Sequence, residues 1–116
     1  PTSPGHVLVV PRSPYPKWTD APAPVAAHLA SVAQTIGAAQ EDAFGVPRAG
    51  MAIAGFDVPH LHIHVLPLYK ISDIDPAHAR AASGEGLDAA MEALRVGLRE
   101  DGWGEFVPAA LGSPAL

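Results

Sequence analysis

Residues 59–67 constrain the fold more than any other part of the chain, because three histidines alternate there with aliphatic residues. In an extended strand, successive side chains point to opposite faces, whereas neighbours on a helical surface lie three or four residues apart. The alternation therefore predicts a β-strand with the imidazoles on one face and an aliphatic core side on the other. The two sets are His60, His62 and His64 on the first face, and Leu61, Ile63 and Val65 on the second. Prolines bracket the run, where a residue that cannot donate to a ladder is tolerated.

Three imidazoles on one strand face favour a functional site, although a plain polar strand face is also an open interpretation. Neutral histidine is a nucleophile, a metal ligand and a proton carrier near neutral pH. A three-histidine zinc site is the main chemical alternative, because zinc enzymes use three protein ligands and a water. Ligands two residues apart on one strand fit a single tetrahedral ion poorly. Asp57 is the one carboxylate close enough in the sequence to support them.

The composition limits the class of protein. A chain of 116 residues is large enough for one domain with a single core, so residues 1–116 are predicted to form one domain with a tail over 102–116. The net charge of −5 and only 7 lysines and arginines argue against binding along a nucleic-acid backbone. The lack of cysteine excludes disulfides and thiolate metal sites. No apolar run approaches the roughly 20 residues of a membrane span, and no signal peptide is visible, so we expect a cytoplasmic protein without membrane contact.

The hydrophobic periodicity predicts an α+β protein. Short runs of β-branched and apolar residues favour strands, and apolar residues three or four apart favour helices. The predicted elements are a strand over 6–10, a helix over 20–44, a strand over 48–54, the histidine strand over 60–66 and a helix over 87–100. Residues 68–71, after Pro67, are an alternative end of the histidine strand. We expect a small antiparallel sheet with the long helix packed against it and the C-terminal helix at its side.

End signals and apolar stripes define the two helices. Asp20 is the expected N-cap of the first helix, Pro22 is allowed in its first turn, and Gly45 ends it. Its stripe predicts packing against the sheet and consists of Val25, Leu29, Val32, Ile36 and Ala43. Ser83 or Asp88 is the expected cap of the second helix. The stripe of that helix consists of Leu87, Met91, Leu94 and Leu98.

Two motifs resemble the signature of the histidine-triad (HIT) family of nucleotide hydrolases and transferases. The first is the alternating block His60-Leu61-His62-Ile63-His64-Val65-Leu66. The second is Pro4-Gly5-His6-Val7-Leu8-Val9-Val10-Pro11-Arg12, which is similar to the family's Pro-Gly-His strand that ends in Pro-Arg or Pro-Lys. The resemblance extends over residues 2–67, and the chain beyond Tyr69 carries little of it. It implies a HIT-like fold of the kind found in bacterial members, assembled as a homodimer.

The resemblance also implies an enzyme that needs no cofactor. A HIT-type hydrolase or nucleotidyltransferase acts on the α-phosphate of a purine nucleotide conjugate, a nucleoside phosphoramidate or a dinucleoside polyphosphate, through a nucleotidyl-histidine intermediate. By resemblance, His62 is the nucleophile and His64 donates to a non-bridging phosphate oxygen. The backbone of His60 and the ring of His6 hold His62 in the tautomer with a free attacking nitrogen. A HIT protein that binds nucleotides without turnover is an alternative.

The loop before the histidine strand departs from the commonest family pattern. Many members carry an Asn-containing loop and then Gly-Gln-x-Val-x-His, and the amides contact the phosphate and the leaving group. Here Phe56 replaces the glutamine, and the Asn-containing loop is shortened to Ala54-Gly55. Phe56 cannot replace an amide, whereas Asp57 either accepts a hydrogen bond or forms an Asx-turn, which we favour. The expected substrate-binding residues are Gly55, Phe56, Asp57 and His64.

Family members usually carry roughly 40 residues, a strand–helix–strand stretch, before the Pro-Gly-His block. This sequence starts at Pro1, so the resemblance implies either a missing start or a shortened member. The acidic residue that holds the ribose in the family lies in that stretch and is not assigned in this sequence.

Overall fold

The computed structural model describes residues 4–56, 58–75, 84–100 and 102 of the chain. Three strands and two long helices are found in this part, together with two short 3-10 turns at Trp18–Asp20 and Ile71–Ile74. The long elements, in chain order, are β1 (Val7–Val9), α1 (Ala23–Phe44), β2 (Arg48–Ala52), β3 (Ile63–Leu68) and α2 (Gly84–Glu100).

The three described strands form one antiparallel sheet in the order β1-β3-β2. The histidine strand β3 is therefore central, and His64 lies opposite Leu8 on one side and Ala52 on the other. Helix α1 packs against all three strands, and α2 packs against α1. This arrangement confirms the predicted α+β fold with a small antiparallel sheet, one long helix and a C-terminal helix.

The core lies between the sheet and α1. The predicted aliphatic face is buried, because Leu61, Ile63 and Val65 form one cluster with Val9 of β1 and with Leu29 and Ala33 of α1. The α1 residues Val25, Val32 and Ile36 pack against this cluster while partly buried. Full burial of a valine, leucine or isoleucine side chain stabilises the fold by roughly 1.5–3 kcal/mol. This burial fixes the orientation of β3 and therefore the side on which its histidines emerge.

Helix α1 begins at Ala23, so the prediction of a start at residue 20 with Asp20 as N-cap was wrong. The residue before a proline is driven out of the α region, and Ala21, which precedes Pro22, is extended at φ −71° and ψ 139°. Asp20 belongs to the preceding 3-10 turn, and its N–H donates to the Lys17 carbonyl at 3.0 Å. Gly45 ends the helix in the left-handed conformation at φ 61°, as predicted.

The histidine strand begins at Ile63 and ends at Leu68, later than the predicted span of 60–66. Its first part is held by loop contacts instead of a ladder, because Leu61 donates its N–H to the Tyr15 carbonyl at 2.7 Å. At its far end Pro67 lies opposite Ala49, whose N–H donates to the Glu41 carboxylate at 2.9 Å. On its other side the ladder with β1 has already ended at Val65, so a residue without an N–H is tolerated at this point of β3.

The remaining differences concern element ends. Strands β1 and β2 are shorter than the predicted spans of 6–10 and 48–54, and α2 begins at Gly84, one turn before the predicted residue 87. Asp88 lies inside α2, so its prediction as a cap was wrong, whereas Ser83 and the tail from residue 103 lie outside the described residues. Within the described part of the chain, no helix has the length and apolar character needed to cross a bilayer.

Gly5→Ala should destabilise the fold more than Gly45→Ala. Both glycines have positive φ, at 85° and 61°, where an L side chain costs roughly 1–2 kcal/mol. A Cβ at Gly45 would meet nothing within 4 Å, whereas one at Gly5 would overlap the ring of Phe44. Urea unfolding should show a loss of about 1 kcal/mol for Gly45→Ala and a clearly larger loss for Gly5→Ala. Equal losses would contradict the close packing of Gly5 on Phe44.

Candidate active site

A row of three imidazoles lies on the side of the sheet opposite the aliphatic cluster. The ring centroids of His62 and His64 are 5.0 Å apart, with the planes at 75°. The ring of His6, which precedes β1, lies 5.1 Å from His64 on a tilt of 35°. His64 is therefore the middle member of the row, and all three side chains are partly exposed. The predicted proximity of His6 to the histidine strand is found in the structure.

The tautomer of His62 is determined by a backbone carbonyl. The Nδ1 atom of His62 lies 2.7 Å from the carbonyl oxygen of His60. A carbonyl oxygen can only accept, so Nδ1 carries the hydrogen and donates it. In the neutral imidazole, Nε2 then has no hydrogen and keeps its lone pair. This is the contact from the His60 backbone that was expected by resemblance.

His60 itself is turned toward a different group. Its Nε2 donates to the Pro11 carbonyl at 3.2 Å, on the loop that follows β1. The sequence predicted that three rings of the triad would share one face of a strand. The structure instead places His60 before the first ladder residue, Ile63, and uses its ring to tie that loop to β3.

The hydrogen bond of His6 also differs from the expectation. His6 was expected to hold His62, whereas its Nε2 lies 2.9 Å from the Nδ1 of His64. One of these nitrogens donates and the other accepts. If His6 donates, the Nε2 of neutral His64 carries a hydrogen and is a donor toward the site.

The surroundings of His6 and His64 favour neutral rings at these two residues. Burial lowers the pKa of His6 below its ordinary value of 6.5, and the neighbouring His64 lowers it further. Burial likewise lowers the pKa of His64, with a second contribution from His62. Desolvation disfavours the charged imidazolium, and a like charge nearby adds to this effect. Near neutral pH both rings are therefore predominantly uncharged.

The loop before the triad offers little to a substrate in this structure. Phe56 exposes 97 % of its surface, and Gly55 has a positive φ of 88°. Asp57 lies outside the described residues. The structure thus does not place Phe56 within a packed binding surface, and substrate binding by Gly55, Phe56 and Asp57 stays a prediction.

The three-histidine metal hypothesis gains no support from the geometry. Among the described residues, no group of three or more His, Asp or Glu side chains could hold a metal ion. Part of the reason is visible in the hydrogen bonds, because the His60 ring donates to Pro11 and the His62 Nδ1 donates to a carbonyl.

Sequence reasoning missed one residue that contacts both histidine-bearing segments. Gln40 of α1 is fully buried, and its Nε2 donates to the carbonyls of Gly5 at 2.8 Å and Val65 at 2.9 Å. A signal for it was present, since Gln40 lies four residues after Ile36 on the apolar stripe of α1. A polar residue at such a position is buried and needs partners.

A family model for the HIT domain matches residues 1–71, more than half of the chain. The chain belongs to the HIT domain family. The match covers both histidine motifs, from the Pro-Gly-His block to the end of β3. The family resemblance of these motifs is thereby confirmed.

Two curated relatives match this chain over part of their own length. A bifunctional bis(5'-adenosyl)-triphosphatase/adenylylsulfatase FHIT of Arabidopsis thaliana is 40% identical over 72 residues, which cover 58% of this chain and 40% of the relative. An asymmetrical bis(5'-nucleosyl)-tetraphosphatase of Schizosaccharomyces pombe is 29% identical over 93 residues, covering 74% of this chain and 51% of the relative. This HIT chain therefore spans about half the length, or less, of these relatives.

The HIT fold also matches solved structures. A Hit-like protein involved in cell-cycle regulation from Bartonella henselae superposes with a TM-score of 0.73 at 24% sequence identity, over 84% of this chain and 74% of that one. At this level of identity the similarity establishes the shared fold.

Acidification should lower the stability of this HIT domain. The unfolded chain titrates its histidines near 6.5, whereas folded His6 and His64 titrate lower. At a pH between the folded and the unfolded pKa values, the unfolded state binds more protons than the folded state. The free energy of unfolding therefore falls as pH falls. Urea unfolding at about pH 7.5 and about pH 5.5 should show this loss, and a His6→Asn variant should show less of it.

The pH range in which the histidines lower the stability is separate from the pH range in which Asp73 does so. The pKa of Asp73 lies below its ordinary value of 3.8, mainly because of the hydrogen bond from the Lys70 side chain, so its contribution is lost only at lower pH. A proton titration of the His6 and His64 rings by NMR gives the same test directly. Midpoints at or above 6.5 would contradict the lowered pKa values.

Proposed function

We propose that this chain is a HIT-type nucleotide hydrolase or nucleotidyltransferase that acts on the α-phosphate of nucleotide conjugates through a nucleotidyl-histidine on His62. The observation that carries the proposal is the 2.7 Å hydrogen bond from the His62 Nδ1 to the His60 carbonyl. It leaves the Nε2 lone pair free on a partly exposed ring. A neutral nitrogen nucleophile approaches an anionic phosphate without adding charge repulsion.

The reaction proceeds in two displacements. The Nε2 of His62 attacks the α-phosphorus, a P–N bond forms, and the bond from phosphorus to the leaving group breaks. The leaving group departs with its electron pair and takes up a proton from solvent. A water, or another acceptor in the transferase reaction, then attacks phosphorus and gives up a proton to solvent, and the P–N bond breaks with its electron pair returning to Nε2. The nucleotide is released and neutral His62 is restored. The covalent intermediate divides one difficult step into two easier ones.

His64 and His6 support this chemistry as a pair. With the His6 Nε2 donating to the His64 Nδ1 across 2.9 Å, the His64 Nε2–H becomes a donor for a non-bridging phosphate oxygen. His64 lies beside the nucleophile, with the ring centroids 5.0 Å apart. A donor fixed before the reaction stabilises charge that develops in the transition state. Its lowered pKa keeps His64 neutral, so the ring donates through one nitrogen while the other accepts.

The substrate class follows from the relatives. Two of them are named for dinucleoside triphosphate and tetraphosphate hydrolysis, which supports a purine dinucleoside polyphosphate as the substrate of this chain. A purine nucleoside phosphoramidate presents the same α-phosphate with a nitrogen leaving group. Because Phe56 stands in place of an amide, the contacts to the leaving group come from other residues, and Asp57 and Gly55 are the proposed ones.

His62→Ala should abolish turnover and the covalent adduct. Loss of a covalent nucleophile lowers kcat by about 10⁴-fold or more. The measurement is hydrolysis of diadenosine triphosphate and of an adenosine phosphoramidate, with acid quenching and mass spectrometry to detect one nucleotidyl group on His62. His28→Ala is the matched control, because His28 is an exposed histidine on α1 and its loss should leave both readouts unchanged.

Two outcomes would overturn the proposed function. Full activity in His62→Ala would exclude His62 as the nucleophile. Tight binding of adenosine monophosphate by the wild-type protein, with no hydrolysis of either substrate, would show a nucleotide-binding HIT protein without turnover.

A second copy of this chain is the proposed partner. A groove of about 800 Å³ runs between α1 and β2, and β2 is the outer strand on that side of the described sheet. The groove is lined largely by small residues, which allow close approach of a second surface: Ala30, Ala33, Gly37, Ala38, Ala49 and Gly50. Met51 borders it with 58 % of its surface exposed. A two-fold symmetric dimer buries the same groove on both copies.

Met51→Asp should shift this dimer to monomer. A carboxylate at position 51 would be buried in a groove that already holds Glu41, where it loses its hydration without gaining a partner, and symmetry introduces it twice. Light scattering after size-exclusion chromatography gives the mass. The control is Met91→Asp on α2, an exposed methionine outside the groove. Equal masses for both variants and the wild-type protein would contradict the assignment of this interface.

A further inference from the structure

We propose that Gln40 is a positioning residue that sets the distance between His6 and His64. The inference rests on the proposed function, in which that pair supports turnover at His62. Gln40 lies near the end of α1 and touches neither imidazole through the hydrogen bonds described. It acts through the backbone on which each imidazole is mounted.

The side chain of Gln40 is committed to two carbonyls. It is 0 % exposed, and its Nε2 donates to Gly5 at 2.8 Å and to Val65 at 2.9 Å. Since both partners are carbonyl oxygens, the nitrogen of the carboxamide must face them. Its two hydrogens therefore serve one partner each.

These carbonyls flank the two histidines. Gly5 immediately precedes His6, and Val65 immediately follows His64. The described ladder between β1 and β3 begins only at the Val7–Val65 pair, so Gly5 and His6 lie beyond it. The two hydrogen bonds of Gln40 therefore connect β3 with the chain before β1 at a point beyond the last ladder pair. That point, Gly5, is directly next to His6.

The ring contact requires this extension. The His6 Nε2 and the His64 Nδ1 are 2.9 Å apart, and hydrogen bonds weaken steeply as length and angle depart from the optimum. A shift of the turn before β1 would lengthen this bond. Gly5 is further fixed by Phe44, because a Cβ at position 5 would overlap the Phe44 ring. The C-terminal part of α1 thus holds the Pro4-Gly5 turn through one polar contact, from Gln40, and one apolar contact, from Phe44.

One atom of the Gln40 carboxamide has no hydrogen-bond partner among the described residues, and this supports a specific role for the group. Within the described part of the chain, the Oε1 of Gln40 is buried without a hydrogen-bond partner. An unpaired buried acceptor is unfavourable, and an apolar residue of the same length would avoid it. The two donated hydrogen bonds are what an apolar residue cannot provide.

Gln40→Met tests the inference, because methionine keeps the length and removes both donors. We expect kcat for diadenosine triphosphate to fall about 10- to 100-fold, the scale of a small misplacement of catalytic groups, with a much smaller change in KM. The ring ¹⁵N resonances of His6 and His64 should move toward those of freely exchanging tautomers, because the bond between the rings weakens.

Leu94→Val is the matched control. It shortens a buried side chain on α2, and no residue of α2 belongs to the site. It should lower the melting temperature while leaving kcat and both ¹⁵N resonances at their wild-type values. If Gln40→Met behaved like Leu94→Val in kcat and in the ¹⁵N spectrum, Gln40 would be a stabilising core residue only and the inference would be wrong.

A second variant covers a failure of Gln40→Met to fold. Gln40→Asn keeps both donors but withdraws them by one methylene from the Gly5 and Val65 carbonyls, so it should move the same resonances in the same direction by a smaller amount. Unchanged resonances there would also overturn the inference. The ¹⁵N readout needs no substrate, so a wild-type protein without turnover would refute the proposed function and leave the positioning role to be decided by the spectra.

Discussion

One backbone carbonyl determines the chemistry available to this HIT domain. The oxygen of His60 accepts the Nδ1 hydrogen of His62, and that single contact decides which ring nitrogen keeps a lone pair. The contact is possible because residues 60–62 precede the ladder and are not bound to a neighbouring strand in the regular pattern. Their shape is held from outside, by the Tyr15 carbonyl at Leu61 and the Pro11 carbonyl at the His60 ring. The nucleophile thus depends on the loop after β1 as much as on β3.

Helix α1 supports the site from the opposite side of the sheet. Its apolar stripe packs on the aliphatic face of β3, which forces the alternate side chains toward the imidazole face. Its final turns approach the Pro4-Gly5 turn through Gln40 and Phe44. The same helix therefore orients the central strand by burial and the first histidine by hydrogen bonding. A long helix is well suited to this, because its side chains are spaced along a rigid axis that spans all three described strands.

The strict alternation made the two faces of residues 61–65 predictable from the sequence, because a period of two has one physical interpretation. It failed at His60, whose ring turns to the Pro11 carbonyl. The helices were predictable for the same kind of reason, and Gly45 marked one end correctly. The start of β3 was not, because it depends on the hydrogen bond from Leu61 to the distant loop residue Tyr15. The start of α1 was missed although the Ala21-Pro22 pair marks it in the sequence. The hydrogen-bond partners of the His60 and His6 rings were not predictable from the sequence either, because a ring can rotate toward any hydrogen-bonding group within reach. Gln40 could have been noticed as a polar residue on an apolar stripe, but its two partners lie 35 and 25 residues away.

The carboxylate of Glu41 has a consequence for how this sheet meets other molecules. It occupies the N–H of Ala49 on β2, a strand that borders the described sheet on one side. Unpaired amides on a border strand are templates for sheet growth, and proteins protect themselves by blocking them. An incoming extended peptide would have to displace an anion to continue the sheet at this position. The Glu41 carboxylate therefore opposes the addition of a further strand at Ala49.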